Sequence, residues 1–172
     1  TDGSYDVEQQ YVCQGVLPEL PRMGMQIILP RDFSKLEYYG RGPWDTFPDR
    51  WRSTRVGWWK SSVTEEYAHY PVPQDCGNHR ETSALTLSSA KGEAITVTAS
   101  GEPFSFSALP FTAQEISSVR HDHDLPQSGH TVLCIDTAVL GIGNSSCGPG
   151  VLKRHSIDKS KTHTLRLNIV VR

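Results

Sequence analysis

His121 and His123 stand two residues apart in VRHDHDLP, with Asp122 and Asp124 alternating with them. On an extended segment both imidazoles point to one side, which suits a metal ion. The same spacing suits a hydrogen-bonded loop anchor or a contact with a ligand or partner. A metal site also needs at least one further ligand, which the local sequence does not identify. Glycoside hydrolysis needs two carboxylates roughly 5–9 Å apart, depending on stereochemistry. The acidic residues here are scattered, and the adjacent Glu65 and Glu66 fall in a polar segment expected to be solvated. No catalytic or metal-ligating residue is assigned on this reading.

GIGNSSCGPG, residues 141–150, is a glycine-proline loop that follows a strong strand pattern. Cys147 lies near its tip between small residues. A reactive thiol needs a neighbouring base or cation, and nothing local supplies one. Asn144-Ser145-Ser146 matches a glycosylation acceptor, which has meaning only in a secretory pathway. Gly141-Ile142-Gly143 is not followed by a helix pattern and no G-x-S-x-G elbow occurs, which argues against a nucleotide site or a serine nucleophile. Trp44, Trp51, Trp58 and Trp59 fall within sixteen residues. Sugars present C–H faces that stack on such rings, and tryptophans also plug the ends of sandwiches with the ring N–H at the edge; both readings stand. The four cysteines, Cys13, Cys76, Cys134 and Cys147, form no C-x-x-C pair and are expected to be free thiols.

The elements that must position these groups are strands. Short period-two runs appear in YDVEQQYVCQGV, MGMQIIL, ALTLSS, AITVTAS, FSFSAL and TLRLNIVV, bounded by Gly, Pro, Asp and Ser. HTVLCIDTAVLG is longer and apolar on both faces, as in a strand held between layers. Only residues 112–119, TAQEISSV, suggest a helix, with Thr112 and Glu115 as a capping box. Residues 40–77 show few strand signals and many aromatics, a length of irregular chain that is usually functional or a packed cover. The pattern predicts an all-β antiparallel sandwich or barrel, and 172 residues without a linker predict a single domain over 1–172. A net charge of −2 with both signs interspersed excludes a basic stripe for nucleic acid or an anionic membrane. Apolar runs such as TVLCIDTAVLGIG fall short of the roughly 20 residues that cross a bilayer. The first residues, TDGSYDVEQQ, carry no leader pattern.

Five motifs then occur in a telling order: LPRMGMQIILP, YYGRGPWDTFPDR, PVPQDCGNHRET, HDHDLP and LGIGNSSCGPG. Together they resemble the C-terminal, small-chain domain of the β-galactosidases of glycoside hydrolase family 2. The resemblance covers nearly the whole chain, from about Asp2 to the last residue. It implies a β-supersandwich of the galactose-mutarotase-like class, of which this chain is the C-terminal part. It places the acid/base and nucleophile glutamates in a barrel domain outside this chain, in accord with the missing carboxylate pair. The family's Mg and Na would also belong to other domains, so no cofactor is expected here. Its partners would be the remaining domains of the enzyme and a galactoside. Edges left by missing strands favour self-association.

In the family the glycine loop reaches the mouth of the active site, where one member stacks a Trp on the substrate. Cys147 takes that position here, and the implied substrate-binding positions are Asn144, Ser146 and Cys147 in the loop, together with His121. Asp45 falls on the family's usual Glu and Phe47 on a Tyr. Gln74, Asn78 and His79 match family positions, whereas Cys76 replaces Asn and Arg80 replaces Thr. In residues 38–51, Pro43 and Pro48 fix φ, and Asp49 and Arg50 are expected to pair through a bidentate fork. A free-standing carbohydrate-binding sandwich and an aldose mutarotase using a His base are the alternative readings.

Overall fold

Ten strands and one short helix make up the chain in a computed structural model that describes residues 3–143 and 148–172. The strands are β1 (Ser4–Tyr11), β2 (Arg22–Pro30), β3 (Lys35–Gly42), β4 (Arg55–Ser62), β5 (Asn78–Thr82), β6 (Ala84–Ser88), β7 (Ala94–Ala99), β8 (Phe104–Leu109), β9 (His130–Val139) and β10 (His163–Val171). The helix α1 (Ala113–Ser118) lies between β8 and β9. A six-stranded sheet has the order β1-β10-β7-β6-β3-β4, and a four-stranded sheet the order β2-β9-β8-β5. Every described pairing is antiparallel.

Alternation builds the core. Leu36 and Tyr38 of β3, Leu85 and Leu87 of β6, Val97 of β7 and Leu167 of β10 turn inward from the larger sheet. Phe104 and Phe106 of β8 and Leu133 and Ile135 of β9 meet them from the smaller one. Because side chains alternate with period two, each of these strands gives one row to the shared core. β9 pairs with β2 on one side and β8 on the other, and its outward residues Val132 and Asp136 are buried as well. A second, smaller cluster joins Tyr67, Cys76, Leu109 and Ile116, so that the 67–77 segment and α1 pack beside the four-stranded sheet.

The capping box forms: Thr112 accepts from the Glu115 backbone N–H, and the Glu115 carboxylate accepts from the Thr112 N–H at 2.7 Å. The weak strand signal over 40–77 is corrected, because β4 crosses that stretch. Its inward row is Gly57, Trp59 and Ser61, two small residues around one large one, so no apolar alternation shows. β5 is hidden for a related reason. It buries Asn78, His79 and Thr82, and its pairing with β8 breaks register between His79 and Thr82.

Candidate functional site

The two glycine-rich motifs meet in space. β9 ends at Val139, the Leu140 N–H donates to the Pro21 carbonyl at 2.8 Å, and the Gly141 N–H donates to the His155 carbonyl at 2.9 Å. The Asp49 carboxylate then accepts from the Ile142 N–H at 3.1 Å and the Gly143 N–H at 2.7 Å. A Cβ at Gly141 would stand 2.7 Å from an Asp49 oxygen, and Gly143 has φ of +60°, so both glycines are required by this seat. The returning leg passes Gly150 and Val151 beside Gly143. A cavity of about 390 Å³ lies at the base, lined by Asp49, Arg50, Ile142, Gly143 and Leu152 among others.

The expected Asp49–Arg50 fork is therefore corrected. Asp49 is taken up by the loop's backbone, and Arg50 instead places one guanidinium nitrogen at both oxygens of Asp45, with its centre 5.6 Å from the Phe47 ring. Two backbone N–H donors that meet one carboxylate need no cation beside it, while Asp45 offers Arg50 an exposed partner five residues away.

Of the substrate-binding residues inferred from the sequence, Asn144, Ser146 and Cys147 lie outside the described residues. His121 is exposed and caps the short 3₁₀ turn Asp122–Asp124, stacking on His123 with centroids 5.4 Å apart. It does not line the cavity under the loop. The anchoring in HDHDLP belongs to Asp122, which accepts from the Tyr67 hydroxyl at 2.9 Å and pairs with His69 at 2.8 Å. These bonds hold its carboxyl below the usual range. Among the described residues no three His, Cys, Asp or Glu side chains are grouped to hold a metal.

A buried relay escaped the sequence reading. His79 is fully buried, its Nε2 is 2.6 Å from a Glu66 oxygen, and its Nδ1 is 3.0 Å from the Tyr38 hydroxyl. A carboxylate only accepts, so Nε2–H donates to Glu66, while Nδ1 faces both the Tyr38 hydroxyl and, at 3.1 Å, the Arg41 carbonyl. Burial, and then the Glu66 charge, raise the Tyr38 hydroxyl well above the ordinary phenol. The expectation that Glu65 and Glu66 are both solvated holds for Glu65 alone; Glu66 turns inward to His79. The sequence signal was His79 inside a motif, with nothing to mark its partner thirteen residues earlier.

A second polar cluster sits on the outward face of the four-stranded sheet. Arg22 lies 3.6 Å from Asp75 and 3.7 Å from Asp136, and donates to the Ser107 hydroxyl at 3.1 Å. Burial pushes the Asp136 carboxyl up to about 6 against the pull of Arg22. Cys76 is buried with its thiol pushed up to about 11 by desolvation, and Cys13, Cys76 and Cys134 are free thiols. The tryptophans divide. Trp59 is half-buried and donates its ring N–H to the Gly40 carbonyl, whereas Trp44 is 69% and Trp58 70% exposed. Plugging the sandwich accounts for Trp59 but not for Trp44 or Trp58.

Comparison with known proteins gives one consistent result. The family model described as beta galactosidase small chain matches residues 1–169. The chain is 32% identical over 160 residues to a beta-galactosidase of Actinobacillus pleuropneumoniae, covering 93% of this chain and 15% of that protein. It is similar at 32% over 142 residues to beta-galactosidase BgaC of Bifidobacterium adolescentis, covering 81% of this chain and 13% of that one. A beta-galactosidase of Streptococcus thermophilus is 30% identical over 141 residues, with 82% and 14% covered. The chain thus spans about 15% of the length of the curated relatives it matches. On the match over residues 1–169, the chain belongs to the beta galactosidase small chain family.

Proposed function

We propose that this chain serves as the C-terminal domain of a β-galactosidase, an enzyme that releases terminal β-D-galactose from galactosides. In this reading it walls the aglycone side of a pocket whose glutamates come from a barrel outside the chain. A retaining double displacement between two close carboxylates would run there. The observation that carries the reading is the Asp49 seat beneath residues 141–143. It fixes the root of the loop that, by family resemblance, reaches the substrate, and a rigid root is what a positioning loop needs. The chain itself supplies no proton transfer. It holds the root of the loop and excludes water on one side, and Asn144, Ser146 and Cys147 are the residues that the family resemblance assigns to the sugar. In this reading the family's Mg and Na belong to other domains, and no step is assigned to them. The remaining domains are its partners, and the edge strands β1, β2, β4 and β5 favour self-association when those domains are lacking. A mutarotase would need an acid and a base facing one sugar, whereas His79 and Glu66 are bonded to each other.

The test is turnover of a chromogenic β-galactoside. The chain alone gives none, and the polypeptide that joins it to a barrel domain gives turnover that falls when residues 144–147 are replaced by glycines. Clear turnover by the chain alone, or full turnover after the replacement, would overturn the reading.

A further inference from the structure

A cavity of about 370 Å³ lies between the outward face of the four-stranded sheet and α1, away from the seat of the 141–143 loop. Its volume falls at the small end of the roughly 300–1,000 Å³ typical of small-molecule sites, which pair apolar walls with a few placed polar groups. Leu109, Phe111 and Val132 give it an apolar wall, and Arg22, Asp75 and Asp136 line it as well.

Two polar atoms of this lining are buried without a hydrogen bond among the described residues. Asp136 is 2% exposed, yet its Oδ2 accepts no bond, and Arg22 Nη2 donates none. The cluster stands slightly too far apart to satisfy itself. Arg22 Nη1 is 3.7 Å from Asp136 Oδ2 and donates to the Ser107 hydroxyl, while Nη2 is 3.6 Å from Asp75. Neither ion-pair distance is short enough for a hydrogen bond. Asp136 is not free to close the gap, because its Oδ1 lies against Gly24 at the irregularity in β2, where a Cβ would overlap it. Buried polar groups are normally paired, so a donor and an acceptor left open in one cavity wall mark a place that a ligand completes.

Hydrogen-bonding capacity and charge together select that ligand. It must accept from Arg22 Nη2 and donate to Asp136 Oδ2. A carboxylate only accepts, and it would add a negative charge beside Asp75 and Asp136. An ammonium or amidinium only donates, so it would leave Nη2 unpaired beside a second positive charge. A carboxamide does both through separate atoms and adds no charge: its oxygen accepts and its NH2 donates. A hydroxyl must serve both partners from one oxygen. The apolar wall then takes a hydrocarbon group on the amide carbon.

We infer that this cavity binds a small neutral carboxamide with one apolar substituent, its oxygen on Arg22 and its NH2 on Asp136. The inference stands apart from the β-galactosidase reading, since no galactoside contact and no bond cleavage enter it.

The probe is phenylacetamide, titrated into the intact protein at about pH 8, above the raised range of the Asp136 carboxyl, and followed by backbone amide chemical shifts. The expected result is saturable binding in the millimolar range, with shifts confined to the residues around Gln26, Gln114 and Val132. Gln114→Trp, an exposed change on α1 at the cavity, obstructs the site and weakens binding about tenfold. Asp136→Asn removes the charged acceptor and weakens it by about the same factor. Trp58→Ala, which alters an exposed ring on β4, leaves binding unchanged. Thermal melting checks that each variant is folded. Phenylacetate, 2-phenylethylamine and 2-phenylethanol keep the ring and change only the polar group, and each is expected to bind at least about tenfold more weakly than the amide. Equal binding of any of the three would overturn the carboxamide assignment. Binding that is equal in Gln114→Trp and the parent protein, or an absence of saturable shifts, would overturn the site. Turnover of a chromogenic galactoside, read on the same samples, bears on the proposed function alone.

Discussion

The Asp49 carboxylate accepts the Gly143 N–H at 2.7 Å across ninety-four residues of chain, and the Ile142 N–H beside it. The turn after β3 is therefore the seat of the loop after β9. Replacing Asp49 with Ala leaves two part-buried backbone donors without this acceptor, and a buried group left unpaired costs about 1–3 kcal/mol. The expected outcome for Asp49→Ala is faster hydrogen exchange at the Ile142 and Gly143 amides. Exchange elsewhere in β9 stays as it was, because the strand's own pairing with β2 and β8 is untouched. Asp49→Asn, which keeps one acceptor oxygen, falls between. Uniform acceleration along all of β9 would mean that Asp49 supports the sheet and not the loop.

The residues that could be read in the sequence are those whose environment is set by their neighbours in the chain. Thr112 and Glu115 cap their own helix, so the box was visible in four letters. The inward rows of β6, β7 and β10 alternate with outward Thr, Ser and Asn, which gives a clean period of two. β4 was obscured because its core-facing row contains Gly57 and Ser61, which carry no hydrophobic signal. The site failed in the same way. Asp49 sits next to Arg50, and adjacency suggested a pair, but the acceptor's real partners are amides that only the meeting of two distant turns brings near. Glu66 looked solvated because its partner His79 is reached only through the fold.

Glu66 and His79 are expected to behave as a unit. Glu66→Ala strands a fully buried imidazole donor, and a cost of about 2–4 kcal/mol follows from leaving such a group unpaired. His79→Phe in addition to Glu66→Ala removes both polar partners and recovers part of that loss, since Phe106 already stacks on the ring with centroids 5.2 Å apart. Tyr38 marks the outcome. Its hydroxyl loses its partner on His79 in the double variant, so Tyr38→Phe is nearly neutral there and destabilising in the parent protein. Chemical denaturation of the parent protein and these variants gives the coupling. Additive losses would show that the three side chains act separately.

Asp136 sets a pH dependence whose sign follows from its burial. Its carboxyl is pushed up to about 6 from an ordinary 3.8, chiefly by desolvation, with Arg22 pulling the other way and Asp75 adding to the rise. The native state then binds this proton more tightly than the unfolded chain does. Its contribution to stability is present in full below the unfolded value and is lost as pH rises through about 6. Between about pH 4.5 and pH 8 the loss amounts to about 2 kcal/mol from this group. Asp136→Asn carries no such proton, so the variant gains on the parent protein by that amount over the same interval. The comparison matters because Glu8, Glu115, Asp122 and Asp158, whose carboxyls are lowered, act in the opposite direction at lower pH in both proteins. Urea unfolding at several pH values measures the difference directly. Asp75→Asn is the control for the second carboxyl beside Arg22, which burial also raises. A constant difference between parent and Asp136→Asn across that range would show that Arg22, 3.7 Å away, keeps Asp136 ionised in the folded protein throughout.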